Sequence, residues 1–289
     1  MIKIANRLRP FSHLPGSCCL IPGTSYEVEV YPSLIRFYDL GQGERELIDE
    51  IAVETKGVLK GFTVMQDLER GCVSVWGEGL SYHVLPTLKI VETKNPKIKK
   101  PAFHEKLSLG SHKKQEWEMV KKRCDFREVF PLWFRLGSLT PVEGSLKSKK
   151  GIFSLLEECK EKIDAHRPER ILFSFERLFL AGFRSMMVPR LVDEDYLGIL
   201  PAECEPGSET ALHLLSEGAR LIRSLFITQK KNEIKILPNL PPEFFAGRMV
   251  QLNCDAGEVD LEWTKKCMRQ MVLREKRSGE VTFDFPSSA

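Results

Sequence analysis

The sequence predicts an α+β protein in three consecutive parts: an N-terminal antiparallel β-sandwich over residues 1–108, a central all-α segment of about five helices over 109–230, and a small C-terminal β-domain over 231–289. Three observations predict it. Short alternations of apolar and polar residues recur every ~8–12 residues in the first third. From 111 to 228 the apolar residues recur at helical spacing. Alternation then returns from 233 to 285.

In the first part, Glu27-Val28-Glu29-Val30-Tyr31 alternates as a half-buried strand does, and Pro32 confines it to an edge or a bend. Leu34 to Tyr38 resumes the pattern, and Gly41-Gln42-Gly43 is a turn. Phe62 to Met65 and Cys72 to Trp76 predict a hairpin across Glu69-Arg70-Gly71. Ser81 to Val91 is a further strand region interrupted by Pro86, and 94–101, with two prolines and four lysines, reads as a linker.

In the second part, Ser111 is placed to cap a helix from about His112 to Cys124 with Trp117, Val120 and Cys124 on one face. A short helix is expected from Phe130 to Leu139, opened by Pro131, and an amphipathic one from Phe153 to Ile163. Pro168 opens a longer helix that Pro189 ends. Its stretch Ile171 to Leu180 is apolar nearly all round, which predicts a central, buried helix. A loop over 190–207 follows. Ser208 caps the last helix, to about Phe226, with Leu212, Leu215, Ala219, Ile222 and Phe226 in one stripe.

In the third part, Glu233 to Leu237 is a strand, and Pro238, Pro241 and Pro242 make a rigid turn. Met249–Cys254, Glu258–Trp263, Met268–Arg274 and Glu280–Phe285 are the remaining strand candidates.

A net charge of +3, from 43 Lys and Arg against 40 Asp and Glu, is too balanced to imply a specific nucleic-acid partner. The charge is unevenly placed. Lys94 to Arg123 holds ten Lys or Arg against three Glu, and Asp193 to Glu209 holds six acids and no Lys or Arg. The first reads as a solvated face or as a polyanion patch. Eight scattered cysteines without a Cys-x-x-Cys pair imply a reducing compartment and argue against a zinc site. Arg7, Arg9 and Pro10 break the apolar core that a signal peptide needs, and no run of ~18 apolar residues occurs. The expectation is a soluble cytoplasmic protein with no membrane partner, secretion without a cleavable signal staying open.

No Gly-x-Gly-x-x-Gly, Walker loop, His-Glu-x-x-His or Gly-x-Ser-x-Gly motif is present, so neither a cofactor nor a metal is expected. His13 near Cys18 and Cys19 reads as a strand-entry loop or as a Cys/His nucleophile. Glu176 and Arg177, inside the most apolar helix, need partners, because an unpaired buried charge costs several kcal/mol. Glu176 is therefore half of a buried ion pair or a pocket acid. Asp193-Glu194-Asp195, followed by Tyr196, lies on a loop between two apolar helices. Glycoside hydrolysis needs two carboxylates about 5–10 Å apart, and Asp193 or Asp195 can supply one. The plain alternative is a solvated acidic loop at a helix start. Trp76, Trp117, Trp133 and Trp263 are core residues or platforms for a sugar ring.

One segment carries a family resemblance. Residues 233–281 place Leu237, Pro238, Leu240, Pro241, Gly247, Leu252, Gly257, Val259, Asp260 and Trp263 where the C-terminal β-domain of α-L-fucosidase-type (α/α)6-barrel glycoside hydrolases has a Leu-Pro-x-Leu-Pro turn, a glycine, a strand pair and a Val-Asp-x-x-Trp strand. The helix ending Leu221 to Phe226 resembles the last helix of that barrel. Between Gln251 and Gly257 the family's glycine- and arginine-containing turn is missing. The order β, linker, α, β also matches such enzymes. The opening, Asn6 to Gly16, resembles that of a family of chlamydial proteins of similar length.

The resemblance implies a sugar-binding ancestry, and length limits what it can imply of activity. A twelve-helix barrel takes roughly 300 residues, and only about 118 lie between Ser111 and Thr228. The expectation is a reduced, non-catalytic relative that binds a carbohydrate or a protein partner between sandwich and helices, with Trp117, Trp133 and Tyr196 as binding residues. One alternative is a minimal glycosidase with Glu176, Asp193 and Asp195 as its acids and bases. Another is an interaction module using the basic 94–123 stretch.

Overall fold

Short β-branched and aromatic runs punctuated by Gly, Pro and Asp make strands because their side chains pack on a pleated surface and the breakers close the turns. In the computed structural model of the chain, which describes residues 7–43, 45–55, 57, 59–92, 98, 104–111, 113–142, 148–195, 198–200, 210–274 and 281–285, the first third is all strand. It comprises β1 (Phe11–Ser12), β2 (Ser17–Leu20), β3 (Tyr26–Val30), β4 (Leu34–Asp39), β5 (Glu46–Ala52), β6 (Thr63–Asp67), β7 (Cys72–Gly77), β8 (Leu80–Val84) and β9 (Ile90–Val91).

These strands form two antiparallel sheets, ordered β2-β3-β4-β5 and β1-β6-β7-β8-β9. Val28, Val30, Ile35 and Phe37 of one sheet and Val64, Val73, Val75 and Val84 of the other are buried in a shared core. Gln66 on β6 donates from Nε2 to the Leu20 carbonyl at 2.8 Å, a hydrogen bond between the sheets. The β6–β7 hairpin forms as expected. Asp67 Oδ1 accepts from the backbone N–H groups of Glu69 and Arg70, and Gly71 supplies the positive φ of +75° that the turn requires. β5 was not anticipated: its sequence ELIDEIA is exposed on nearly every residue, so no buried face leaves an alternation to read.

The chain then gives β10 (Lys106–Ser108), α1 (Trp117–Arg123), α2 (Phe126–Leu139), α3 (Ile152–Asp164), α4 (Pro168–Gly182), a 3-10 turn at Ser185–Met187 and α5 (Leu212–Ser224). Five α-helices stand among the described residues. Four boundaries differ from the sequence reading; α5 begins at Leu212, and Ser208, expected to cap it, lies outside the described residues. α1 starts at Trp117 and not near His112, because Gln115 and Glu116 run alongside Phe11 in a strand-like pairing, with Phe11 N–H donating to the Gln115 carbonyl. α2 starts four residues before Phe130, because Asp125 caps it by accepting from the Arg127 N–H; Pro131 falls inside the helix. α4 stops at Gly182, seven residues before Pro189.

α4 is also not buried all round. Phe173 is 63% exposed and Glu176 faces solvent, while Ile171, Phe175, Leu178 and Phe179 face the core. Near-continuous apolarity here reflects one exposed phenylalanine and two half-covered leucines. α2 and α5 approach very closely: a Cβ at Gly218 would fall inside the Trp133 ring, and one at Gly137 inside the Leu215 carbonyl.

The last part contains β11 (Ile227–Lys230), β12 (Glu233–Ile236), β13 (Ala246–Cys254), β14 (Gly257–Thr264), β15 (Cys267–Arg274) and β16 (Thr282–Asp284). One sheet is ordered β10-β13-β14-β15 and the other β11-β12-β16, with β16 parallel to β12. β10 thus falls within the expected first part, which ends at residue 108, yet pairs with the C-terminal sheet.

The positions that carry the family resemblance have packing roles in this part. Trp263 lies across from Gly247, donates to the Phe244 carbonyl at 3.1 Å, and leaves no room for a Cβ at Gly247. Asp260 accepts from the Gln251 N–H at 2.9 Å, inside a β-bulge where Gln251 adopts φ +58°. Its other oxygen holds Arg274.

Candidate functional site

Glu27 stands on β3, where alternation puts a polar side chain outward, yet it has no solvent exposure. A carboxylate there must be paired. Arg45, from the β4–β5 connection, donates to both of its oxygens at 3.0 and 3.1 Å, and its guanidinium carbon lies 3.2 Å from the centre of the Tyr38 ring. Arg184, just past α4, donates from Nη2 to the same two oxygens at 2.9 and 2.6 Å. Two guanidinium groups from distant parts of the chain therefore share one buried carboxylate.

The segment after α4 is held against β2. Met186 and Met187 adopt φ of +39° and +62°, a left-handed conformation that costs a non-glycine residue ~1 kcal/mol or more. Their buried side chains hold them there, with the Cys18 N–H reaching Ser185 Oγ at 3.4 Å. Further on, Arg190 turns back to the end of α4. Its Nε donates to the Ala181 carbonyl at 2.8 Å and its Nη2 to the Leu180 carbonyl at 2.9 Å. These are carbonyls that a helix end leaves without intrahelical partners, so α4 is finished by a distant arginine and not by Pro189. The same guanidinium holds Asp193 Oδ1 at 3.3 Å and Asp195 Oδ2 at 3.2 Å, and Lys121 on α1 reaches Asp195 at 3.6 Å.

Between the two networks lies a groove of about 310 Å³. Leu40, Gly43 and Arg45 line its sandwich side; Arg184, Arg190, Val192, Glu194 and Ala211 line its helical side. It offers oriented charged groups beside an apolar wall, where Val192 is 46% exposed.

The structure brings Asp193 and Asp195 together, on one arginine. Glu176 is exposed on the solvent face of α4, one turn before Leu180, and has no ion pair among the described residues; Arg177 pairs with Glu158 of α3 instead. Trp117 and Trp133 are in the core, Trp133 with no exposure and its Nε1 donating to the Leu215 carbonyl, so neither ring presents a face to a ligand. Tyr196 lies outside the described residues, as does most of the basic run from 94 to 103. His13 accepts or donates at Thr63 Oγ1, 2.9 Å away. Burial and the neighbouring Glu27 push the Cys18 thiol up to about 12, which keeps it protonated and removes the nucleophile reading.

Glu27, Arg45, Arg184 and Arg190 were missed by the sequence reading. Glu27 and Arg184 are 157 residues apart, and no local pattern joins them. Among the described residues no helix is long and apolar enough to cross a membrane, and no group of three or more His, Cys, Asp or Glu gathers as metal ligands. The described cysteines are free. No protein-family model and no curated protein matches this chain.

Proposed function

We propose that this chain binds a carbohydrate in the groove between the β2–β5 sheet and the α4–α5 connection, and does not hydrolyse it. The observation that carries this reading is the pairing of Asp193 and Asp195 with Arg190. A glycosidase needs one carboxyl group held protonated and a second free to act on the sugar. Asp193 and Asp195 are instead both engaged by one guanidinium, at 3.3 and 3.2 Å. Among the described residues that line the groove, Glu194 is the single carboxylate, so the acid pair has no second member there.

Binding without hydrolysis suits the same geometry. Sugar hydroxyls need donors and acceptors whose positions are already fixed, and Arg45 and Arg184, both partly exposed, are held in place by Glu27. Leu40, Val192 and Ala211 provide the apolar surface for the ring's C–H face.

A glycan array followed by calorimetry on the purified chain tests this reading. A saturable sugar ligand whose affinity falls in Val192→Glu is expected. Absence of any sugar ligand overturns the binding claim. Hydrolysis of aryl glycosides that Glu176→Gln or Asp193→Asn abolishes overturns the non-catalytic claim.

A further inference from the structure

A second cavity, of about 600 Å³, opens where the end of α3, the outer face of α5 and the β11–β12 hairpin meet. Its charged lining is cationic. Lys160, Arg220, Lys230 and Lys235 face it, against the carboxylates of Asp164 and Glu233. Ile163, Leu221 and Pro238 give it an apolar floor.

The lysines among these cations are loosely held. Lys235 stands 4.0 Å from Glu233 and 3.9 Å from Asp284, and Lys160 is 3.5 Å from Glu157. Arg220 pairs with Glu217, one turn away on its own helix, at 2.5 Å. Lys230 has no ion-pair partner among the described residues. Nor are they needed to offset the helix dipoles. The last turns of α3 and α5 already carry Lys162 and Arg223.

His166 adds an oriented donor. It follows α3 at φ +50°, and its Nδ1 lies 2.8 Å from the side-chain amide of buried Asn239. That amide is satisfied with its nitrogen turned inward, 3.3 Å from the Ile163 carbonyl and 3.1 Å from the Pro238 carbonyl. The nitrogen then donates to Nδ1, so the imidazole carries its proton on Nε2. His166 lines the cavity, and the ring nitrogen it keeps for a ligand is an N–H donor.

Lysines as point charges, one arginine fork and an oriented imidazole N–H form a donor set suited to phosphate oxygens, which offer only acceptors. The volume exceeds what one phosphate fills, and the apolar floor suits an organic moiety. We propose that this cavity is a binding site for a phosphate-bearing small molecule, with Lys230, Lys235, Arg220 and Lys160 gripping the phosphate and His166 Nε2 donating to it. The site shares no lining residue with the groove and does not rest on the carbohydrate reading.

The test is calorimetry on the full chain with three probes: inorganic pyrophosphate, glucose 6-phosphate and glucose. Saturable one-to-one binding of at least one phosphate probe is expected, with glucose inert at this site. Affinity should fall about tenfold or more in Lys230→Ala/Lys235→Ala and several-fold in His166→Ala, and stay unchanged in Val192→Glu. Circular dichroism and thermal melts of each variant establish that it folds. Lys230→Arg/Lys235→Arg, which keeps the charge, should restore most of the binding. No saturable phosphate binding overturns the proposal. So does binding that persists in the folded double alanine variant, or that falls only in Val192→Glu.

Discussion

In the groove between the sandwich and the helices every arginine is committed to a carboxylate, a ring or a backbone carbonyl; in the cavity below α3 and α5 the lysines stand 3.5 Å or more from any described carboxylate, and Arg220 pairs with Glu217 of its own helix. Arg190 has 3% of its side chain exposed and makes contacts to Leu180, Ala181, Asp193 and Asp195. Lys235 has 42% exposed and its nearest carboxylates are 3.9–4.0 Å away. The two regions contain similar numbers of charges, so counting charges along the sequence does not separate them. What separates them is burial: a buried charge has to be matched within the fold, while an exposed one stays free for a ligand.

Glu27→Ala breaks that contrast most severely. It removes the shared partner of Arg45 and Arg184 and leaves a cavity between β3 and the α4–α5 connection. A loss of about 3–5 kcal/mol is expected, read as a fall in the denaturant midpoint. Glu27→Gln, which keeps the volume and removes the charge, should lose less. If both variants melt like the parent chain, the buried network does not hold the sandwich to the helices.

Asp193→Asn should cost less, about 1–2 kcal/mol. Arg190 keeps Asp195 and two carbonyls, and Asp193 Oδ2 has no partner to lose. A loss as large as that of Glu27→Ala would mean that the α4 terminus depends on Asp193 far more than its 3.3 Å contact implies.

Much of the fold was legible and most of the network was not, for one physical reason. Val28, Val30, Ile35 and Phe37 bury an apolar face, and burying a face writes a period into the local sequence. Pro168 sits at the first position of α4, and Leu212, Leu215, Ala219 and Ile222 bury one stripe of α5; both are local signals. The partners of Glu27 and Arg190 follow from contacts between distant segments, which leave no period. Glu27 even reads as exposed, since it alternates with Val28, while in the fold Arg45 and Arg184 both close over it. Asp193 and Asp195 were singled out from their clustering. Their tie to Arg190 needed the loop's path.

Asp125 tests the intermediate case, a partly covered charge with a local partner. The side-chain and backbone hydrogen bonds of Arg127, and the charges of Arg127 and Lys113, hold its carboxyl below the ordinary aspartate range, against the opposing effect of burial. A folded-state value lower than the unfolded one stabilises the fold above the unfolded pKa of ~3.9 and is lost as pH falls through the folded value. Asp125→Ala should cost about 1 kcal/mol at neutral pH, the usual size of a lost N-cap. The difference between the two proteins should shrink toward zero under acid. A cost that persists once the carboxyl is protonated would assign the effect to packing at the start of α2.

The smallest expected effect is the sharpest test of the contrast. Lys230→Ala removes a cation that no described carboxylate holds, so its stability cost should stay within about 0.5 kcal/mol. The chain would then tolerate the loss of charge at this cavity almost freely, while the loss at Glu27 costs several kcal/mol. A side chain that stability does not require, on the wall of a cavity rich in cations, is free to be kept for a ligand. If Lys230→Ala instead destabilises the chain by more than 1 kcal/mol, the lysine is an unrecognised partner in the β11–β12–β16 sheet, and the two regions differ only in how visibly their charges are paired.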